Sequence, residues 1–261
     1  MAAYSWQQRL RSKARDSAVV SLSLLKRIPR KKNWIRFPYY HHVFNDERVS
    51  FAKQLKYMKN YGDFISIDDA VEMLESDSII QGRYFCITFD DGFKNCATNA
   101  VPILTEHNVT AAFFLPTKYI GSESGEVLDF WPPLRISLEF LNWEDCRQMM
   151  KSGMSFGAHT VSHRLLIDLS DTEVEKELRD SREQIERELQ ITCQHFCCPV
   201  GRPDIDFRTN RDPEIARRLG YRSFLTTRRG SASRKPKPML LERDHIIAGW
   251  SKHQLRYFLS F

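Results

Sequence analysis

Ile87-Thr88-Phe89-Asp90-Asp91-Gly92-Phe93 is the stretch on which the fold of this chain turns. The run from Tyr84 to Phe89 is β-branched and aromatic, the composition of a buried strand. It ends in two adjacent carboxylates and a glycine, and a helical pattern follows from about Asn95 to His107. Two acids side by side at a strand end repel each other, and the pair is costly unless a cation sits there or one of them holds a proton. Asp90-Asp91 is therefore a candidate for a metal ligand beside a general base. Asp-Gly is also ordinary turn chemistry. What gives the pair its meaning is a second polar cluster about 70 residues on, His159-Thr160-Val161-Ser162-His163.

Working outward, extended segments are predicted at 36–40, 64–67, 110–115, 154–158, 195–198, 221–226 and 240–243. Between them lie helical patterns at 51–61, 67–75, 142–152, 170–190, 212–219 and 251–261. Ser66 and Asp69, and Ser170 and Glu173, have the spacing of capping boxes, and Gly62 and Gly220 stand where helices stop. Strands alternating with helices argue for parallel β in βαβ units. Each polar cluster falls just after a strand, where barrels and open α/β sheets place their sites. With no Gly-rich phosphate turn, an α/β fold built as a distorted (β/α) barrel of seven or so strands fits best. Residues 121–137 form a long polar and aromatic loop containing Trp131, and loops of that length in compact domains are often functional. Residues 1–33 read as an appended basic helical arm and 34–261 as the catalytic domain.

At 261 residues the chain can bury a sizeable core as one domain. It has no apolar run long enough to span a bilayer and no clean signal peptide, so a cytoplasmic location is expected. The six cysteines contain no Cys-x-x-Cys pair. That argues against a zinc–thiolate site and for buried reduced thiols. The net charge of +6 is concentrated. Residues 1–33 carry Arg9, Arg11, Lys13, Arg15, Lys26, Arg27, Arg30, Lys31 and Lys32 against Asp16 alone, and a second basic run spans 228–237. The arm also carries Trp6, Leu10, Val20, Leu24 and Leu25, a set that can lie on an anionic membrane or pack on the domain. No aromatic and basic residues interleave there as a nucleic-acid stacking platform requires, so nucleic acid is not an expected partner.

His159 and His163 are four apart, and on a helical turn both imidazoles would lie on one face. Two neutral nitrogens and one carboxylate oxygen suit a divalent ion such as zinc and leave positions open for water and substrate, as a catalytic site requires. Thr88-Phe89-Asp90-Asp91-Gly92 followed by His159-Thr160-Val161-Ser162-His163 resembles the first two motifs of the polysaccharide deacetylases, carbohydrate esterase family four. Tyr40-His41-His42-Val43 is similar to the Tyr-His element of one branch of that family. His195-Phe196-Cys197-Cys198-Pro199-Val200-Gly201 resembles its third motif, which ends in Pro-aromatic-Gly.

The resemblance implies a distorted (β/α)7 barrel and a metal-dependent N-deacetylase acting on an N-acetylated saccharide or its lipid-linked precursor. It implies that Asp91, His159 and His163 hold the metal, that Asp90 is the general base, and that a backbone N–H after Pro199, that of Val200, meets the oxyanion. Cys197 stands where the family carries an arginine that steadies the base. For the general acid the candidates are His41 and, second, His245. Trp131, with Pro199, Val200, Gly201 and His245, is a candidate for contact with substrate; Lys94 and Arg202 flank the motifs. Two rival readings remain, a degenerate glycan-binding partner and a hydrolase of another non-peptide C–N bond.

Overall fold

A computed structural model describes residues 19–23, 28, 33–76, 79–122, 139–232 and 238–260. Its strands are β1 (Trp34–Arg36), β2 (Pro38–Tyr40), β3 (Asp63–Phe64), β4 (Arg83–Phe85), β5 (Ile87–Phe89), β6 (Ala111–Leu115), β7 (Ser155–Ala158), β8 (His195–Cys197), β9 (Ser223–Leu225) and β10 (Asp244–His245). Seven of them form one parallel sheet in the order β10-β2-β5-β6-β7-β8-β9, and the other three form a small parallel sheet, β1-β4-β3. The large sheet curls. A bridge from Leu225 at the end of β9 to Leu241 carries the chain on to β10, which pairs with β2 at the far edge. This is the expected α/β architecture, a distorted (β/α)7-type barrel.

In the large sheet β2, β5, β6, β8 and β9 are buried on both faces, as parallel strands under crossover helices must be. Along β6, Ala111, Phe113 and Leu115 join the larger apolar cluster, while Ala112 and Phe114 join a second one with Phe37, Cys197, Leu225 and the helix Ile67–Glu75. The predicted strand from Tyr84 to Phe89 is in fact two strands. β4 belongs to the small sheet and β5 to the large one, and the chain bends at Cys86, whose N–H bonds the Arg36 carbonyl at 2.9 Å. The predicted strand at 36–40 is divided in the same way at Phe37.

Helices run Arg48–Lys59, Ile67–Glu75, Val101–Glu106, Trp143–Lys151, Asp171–Leu189, Asp212–Arg218 and Lys252–Phe258. The capping residues act as their spacing suggests: Ser66 accepts from the Asp69 N–H, Asn142 from Asp145 and Ser170 from Glu173. Two expectations need correction. Residues 240–243 are not a strand; the pairing begins at Asp244. Residues 159–163 are not a helical turn, because Thr160 and His163 have φ of 66° and 58°. All six cysteines are buried and unbridged. Among the described residues no helix is long and apolar enough to cross a membrane.

Register is what makes a site. Tyr40 lies beside Phe89, Phe89 beside Phe113, Leu115 beside Ala158 and Ala158 beside Phe196. Residues that follow these strands therefore emerge along one edge of the sheet, and they include His41, Asp90-Asp91, His159 and Pro199-Val200-Gly201.

Candidate active site

Asp91 is at the centre of that edge. Its Oδ1 lies 3.4 Å from His159 Nε2 and 3.4 Å from His163 Nε2. Asp91 follows β5 with φ of 72°, and Gly92 follows with φ of 65°. The positive φ of Gly92 is what favours glycine in this turn; a Cβ there would press only on the movable ends of Ile120 and Leu115, at 2.9 and 3.1 Å. The left-handed Thr160 and His163 turn the second histidine back toward the first. The Thr160 and Val161 carbonyls accept from the N–H groups of Thr117 and Lys118, and the Thr160 hydroxyl accepts from the His163 N–H at 2.9 Å. Strained angles at non-glycine residues cluster where surrounding bonds over-determine them, and here they bring imidazoles from one loop to a carboxylate from another.

These donors fit a metal. Ligand atoms held 2.0–2.1 Å from a tetrahedral ion lie about 3.3–3.4 Å apart, which matches the two distances to Asp91 Oδ1. His159 Nδ1 lies 2.7 Å from the Cys197 carbonyl, which can only accept, so Nδ1 carries the proton and Nε2 presents its lone pair. Burial raises the Asp91 carboxyl, but the imidazoles of His159, His163 and His41 more than offset it and hold it well below the usual carboxylate range. Burial is also the main cause that lowers His163, which keeps its ring neutral and able to ligate.

Asp90 lies beside His159 and Cys197, one ligand-type atom of each within 4.8 Å of the others, and its charged partner is Arg243. Arg243 grips it with both arms, Nη1 to Oδ1 at 2.8 Å and Nη2 to Oδ2 at 2.7 Å, while Arg243 Nε bonds the Thr226 carbonyl at 2.9 Å. The guanidinium also lies 4.1 Å from the centre of the Tyr39 ring. Burial pushes the Asp90 carboxyl up, and the Arg243 charge and hydrogen bonds outweigh it and bring it below its ordinary value. Cys197 fits between the two: its Sγ accepts from Arg243 at 2.9 Å and lies 3.6 Å from Asp90 Oδ1. Burial keeps that thiol protonated. Arg243 is the residue that the sequence reading missed. It stands 153 positions from Asp90 and comes from the segment before β10, so no motif spacing announces it. The signal was Cys197 itself, too small and neutral to orient the carboxylate.

The two acid candidates are placed differently. His41 is about one-third exposed, with Nε2 3.9 Å from Asp91 Oδ2. His245 lies behind it, packed on Tyr39 and His41 at ring separations of 4.9 and 5.4 Å. Burial, with His41 and Arg229 nearby, lowers His245 to about 3, so it is a neutral packing partner near pH 7. In the turn after β8, Val200 has φ of 55° and Gly201 has φ of 70°. The Val200 carbonyl accepts from the Thr227 hydroxyl at 2.6 Å and the Pro199 carbonyl from the Gly201 N–H, while the Val200 N–H has no acceptor among the described residues. Lys94 is paired with Asp145, and Arg202 is held by Asp206 through two arms. Trp131 lies outside the described residues.

The sequence profile described as polysaccharide deacetylase matches residues 80–224. The Bacillus subtilis (strain 168) protein YxkH, named for polysaccharide deacetylation, is 25% identical over 205 residues, which span 78% of this chain and 66% of YxkH, just under two thirds of its length. The solved deacetylase PplD of Streptococcus pyogenes, in complex with acetate, superposes with a TM-score of 0.72 at 24% identity over 88% of this chain and 99% of its own. IcaB from Ammonifex degensii gives the same TM-score, 0.72, at 20% identity over 88% of this chain and 98% of its own. At these identities the likeness to the solved structures is one of fold.

Proposed function

The chain belongs to the polysaccharide deacetylase family, and from that premise we propose that it is a divalent-metal hydrolase removing N-acetyl groups from a glycan or its lipid-linked precursor. The observation that carries this reading is the division of labour between adjacent carboxylates. One oxygen of Asp91 lies 3.4 Å from both His159 and His163, a spacing that suits an ion, while both oxygens of the neighbouring Asp90 are taken by Arg243.

In this reading Asp91, His159 and His163 would hold the ion, with zinc suited to the donor set. When bound, the ion supplies polarisation of the amide carbonyl and a water acidic enough to attack near neutral pH. Asp90 accepts the proton of that attacking water. Arg243 keeps Asp90 ionised and fixes the direction of its lone pairs, the role that a bidentate guanidinium fills best. The Val200 N–H is a donor for the developing oxyanion. His41 delivers a proton to the sugar nitrogen as the C–N bond breaks, so that acetate and a free amine leave. Its exposure and its nearness to Asp91 favour it over His245, which is held neutral and behind. Pro199 and Gly201 shape the turn that carries Val200, and Trp131 remains a proposed sugar contact. The degenerate, glycan-binding alternative has two grounds, Cys197 in place of an arginine and the unassigned general acid; Arg243 at the same carboxylate answers the first. The proposal keeps a cytoplasmic location, with a peripheral contact to an anionic membrane made through the basic segment 1–33.

The test is acetate release from N-acetylglucosamine oligomers with added zinc or cobalt, in wild type and in Asp90→Asn. Metal-dependent release that Asp90→Asn abolishes while metal still binds supports the chemistry and the base. A wild type that binds neither metal refutes the site.

A further inference from the structure

The loop that joins His159 to His163 is held by a carboxylate belonging to another element. Glu177, in the helix Asp171–Leu189, turns toward the loop: its Oε2 accepts the N–H groups of Val161 at 2.8 Å and Ser162 at 2.9 Å, and its Oε1 accepts the Ser162 hydroxyl at 2.6 Å. Three hydrogen bonds to one ionised acceptor form a strong, directional anchor. They converge on the two residues lying between the left-handed Thr160 and the left-handed His163. On the opposite side, the Thr117 and Lys118 N–H groups take the Thr160 and Val161 carbonyls. The loop is thus clamped from both sides, and only the Glu177 side depends on a single side chain.

The helix does not need this carboxylate for its own stability. Ser170 and Glu173 cap its first turn, and Val174, Leu178 and Ile185 bury its apolar face. The carboxylate instead satisfies the N–H groups of a backbone that β-branched Thr160 adopts with difficulty.

We infer that Glu177 is a positioning residue for the metal site. By fixing the turn at Val161 and Ser162 it sets the separation and aim of the His159 and His163 rings, and so the affinity for a divalent ion, without touching any ligand atom. This inference rests on the metal-dependent reading proposed above. Partners behind metal ligands typically change affinity about 10–100-fold when removed, so a loss of that size is expected from Glu177→Gln, which keeps the shape and removes the charge.

The experiment uses the full chain and measures zinc affinity by competition with a chromogenic chelator, together with the visible absorption of the cobalt form. Glu177→Gln should bind zinc roughly 10–100-fold more weakly and give an altered cobalt spectrum, and excess zinc should restore its acetate release. A merely structural role would neither change the cobalt bands nor yield to added metal. Ser162→Ala removes one of the three bonds and should weaken zinc binding in the same direction by a smaller factor; it decides the matter if Glu177→Gln does not fold. Zinc affinity within twofold of wild type in the folded variants overturns the inference and leaves the parent reading standing. A wild type that binds neither metal overturns both. A wild type that binds metal but releases no acetate overturns the deacetylase reading alone, and the affinities still decide the role of Glu177.

Discussion

Arg243 and Asp90 are both buried, so neither charge is tolerable without the other. Removing one partner of such a pair costs about 3–5 kcal/mol, and in a domain of this size each kcal/mol corresponds to about 2–4 °C in Tm. Arg243→Ala should therefore lower Tm by about 6–20 °C and abolish acetate release while zinc still binds, since Arg243 touches none of Asp91, His159 and His163. Arg243→Lys keeps the charge and loses the fork, so it should recover more of the stability than of the activity. Calorimetry with a zinc titration checks both, and wild-type activity in Arg243→Ala would sink the assignment. His245 gives a pH prediction. Burial holds it at about 3, against 6.5 for an unperturbed histidine. Between those values the unfolded chain binds a proton that the fold refuses, so stability is fully present above about 6.5 and is lost as pH falls, on the order of 1 kcal/mol per pH unit. Urea unfolding of metal-free protein at pH 7, 6 and 5 should show that slope flattened in His245→Gln; parallel slopes would refute it. At this scale the sequence made Asp90, Asp91, His159 and His163 legible because each pair is local. Arg243 was not legible, because its partnership with Asp90 is created by the curl of the sheet.

Strand β7 delivers His159 to the edge, and its register depends on a close approach at Gly157. A Cβ there would meet Phe114 Cε1 at 2.5 Å and the His195 carbonyl oxygen at 2.7 Å, so the space is shared by a side chain on β6 and the backbone of β8. Gly157→Ala must either push β8 away or rotate Phe114. Overpacking of this kind costs about 1–3 kcal/mol, and Tm should fall by about 2–12 °C. Because the displaced element ends at His159, zinc affinity should fall as well; an unchanged Tm and an unchanged affinity would show that β7 yields without cost. Nothing in the sequence distinguishes Gly157 from any other glycine, since the requirement comes from neighbours on two other strands. The same reason explains two misread elements. Residues 159–163 have helical spacing but are bent by the clamp on their backbone, and the run from Tyr84 to Phe89 is uniform in composition yet serves two sheets. Helices with local caps, such as Asp171–Leu189, were legible nearly to the residue.

For the molecule as a whole, alternating strands and helices were enough to indicate a barrel of about seven strands, because parallel strands require crossovers and crossovers repeat. How the barrel closes was not legible, since a single bridge at Leu241 and a two-residue β10 do it. The arm can pack on the domain or lie on lipid, and the described part of it bears on both. Val19 and Ser23 are buried, the Ser23 hydroxyl lies 3.3 Å from His253 Nδ1, and Ile28 belongs to the main core cluster. On the same short helix Val20 and Leu22 are exposed, at 37% and 44%. The two roles can therefore be separated by residue. Ile28→Ala empties a core position and should cost about 2–5 kcal/mol, with no effect on lipid. The double variant Val20→Glu, Leu22→Glu leaves the buried side intact and puts two acids among nine basic residues of the segment 1–33. It should keep the wild-type Tm and lose co-sedimentation with phosphatidylglycerol vesicles, because both the apolar contact and the electrostatic attraction are weakened. Sedimentation equal to wild type, or none with the wild type itself, would remove the membrane from the proposed function and leave the arm as a packing element alone.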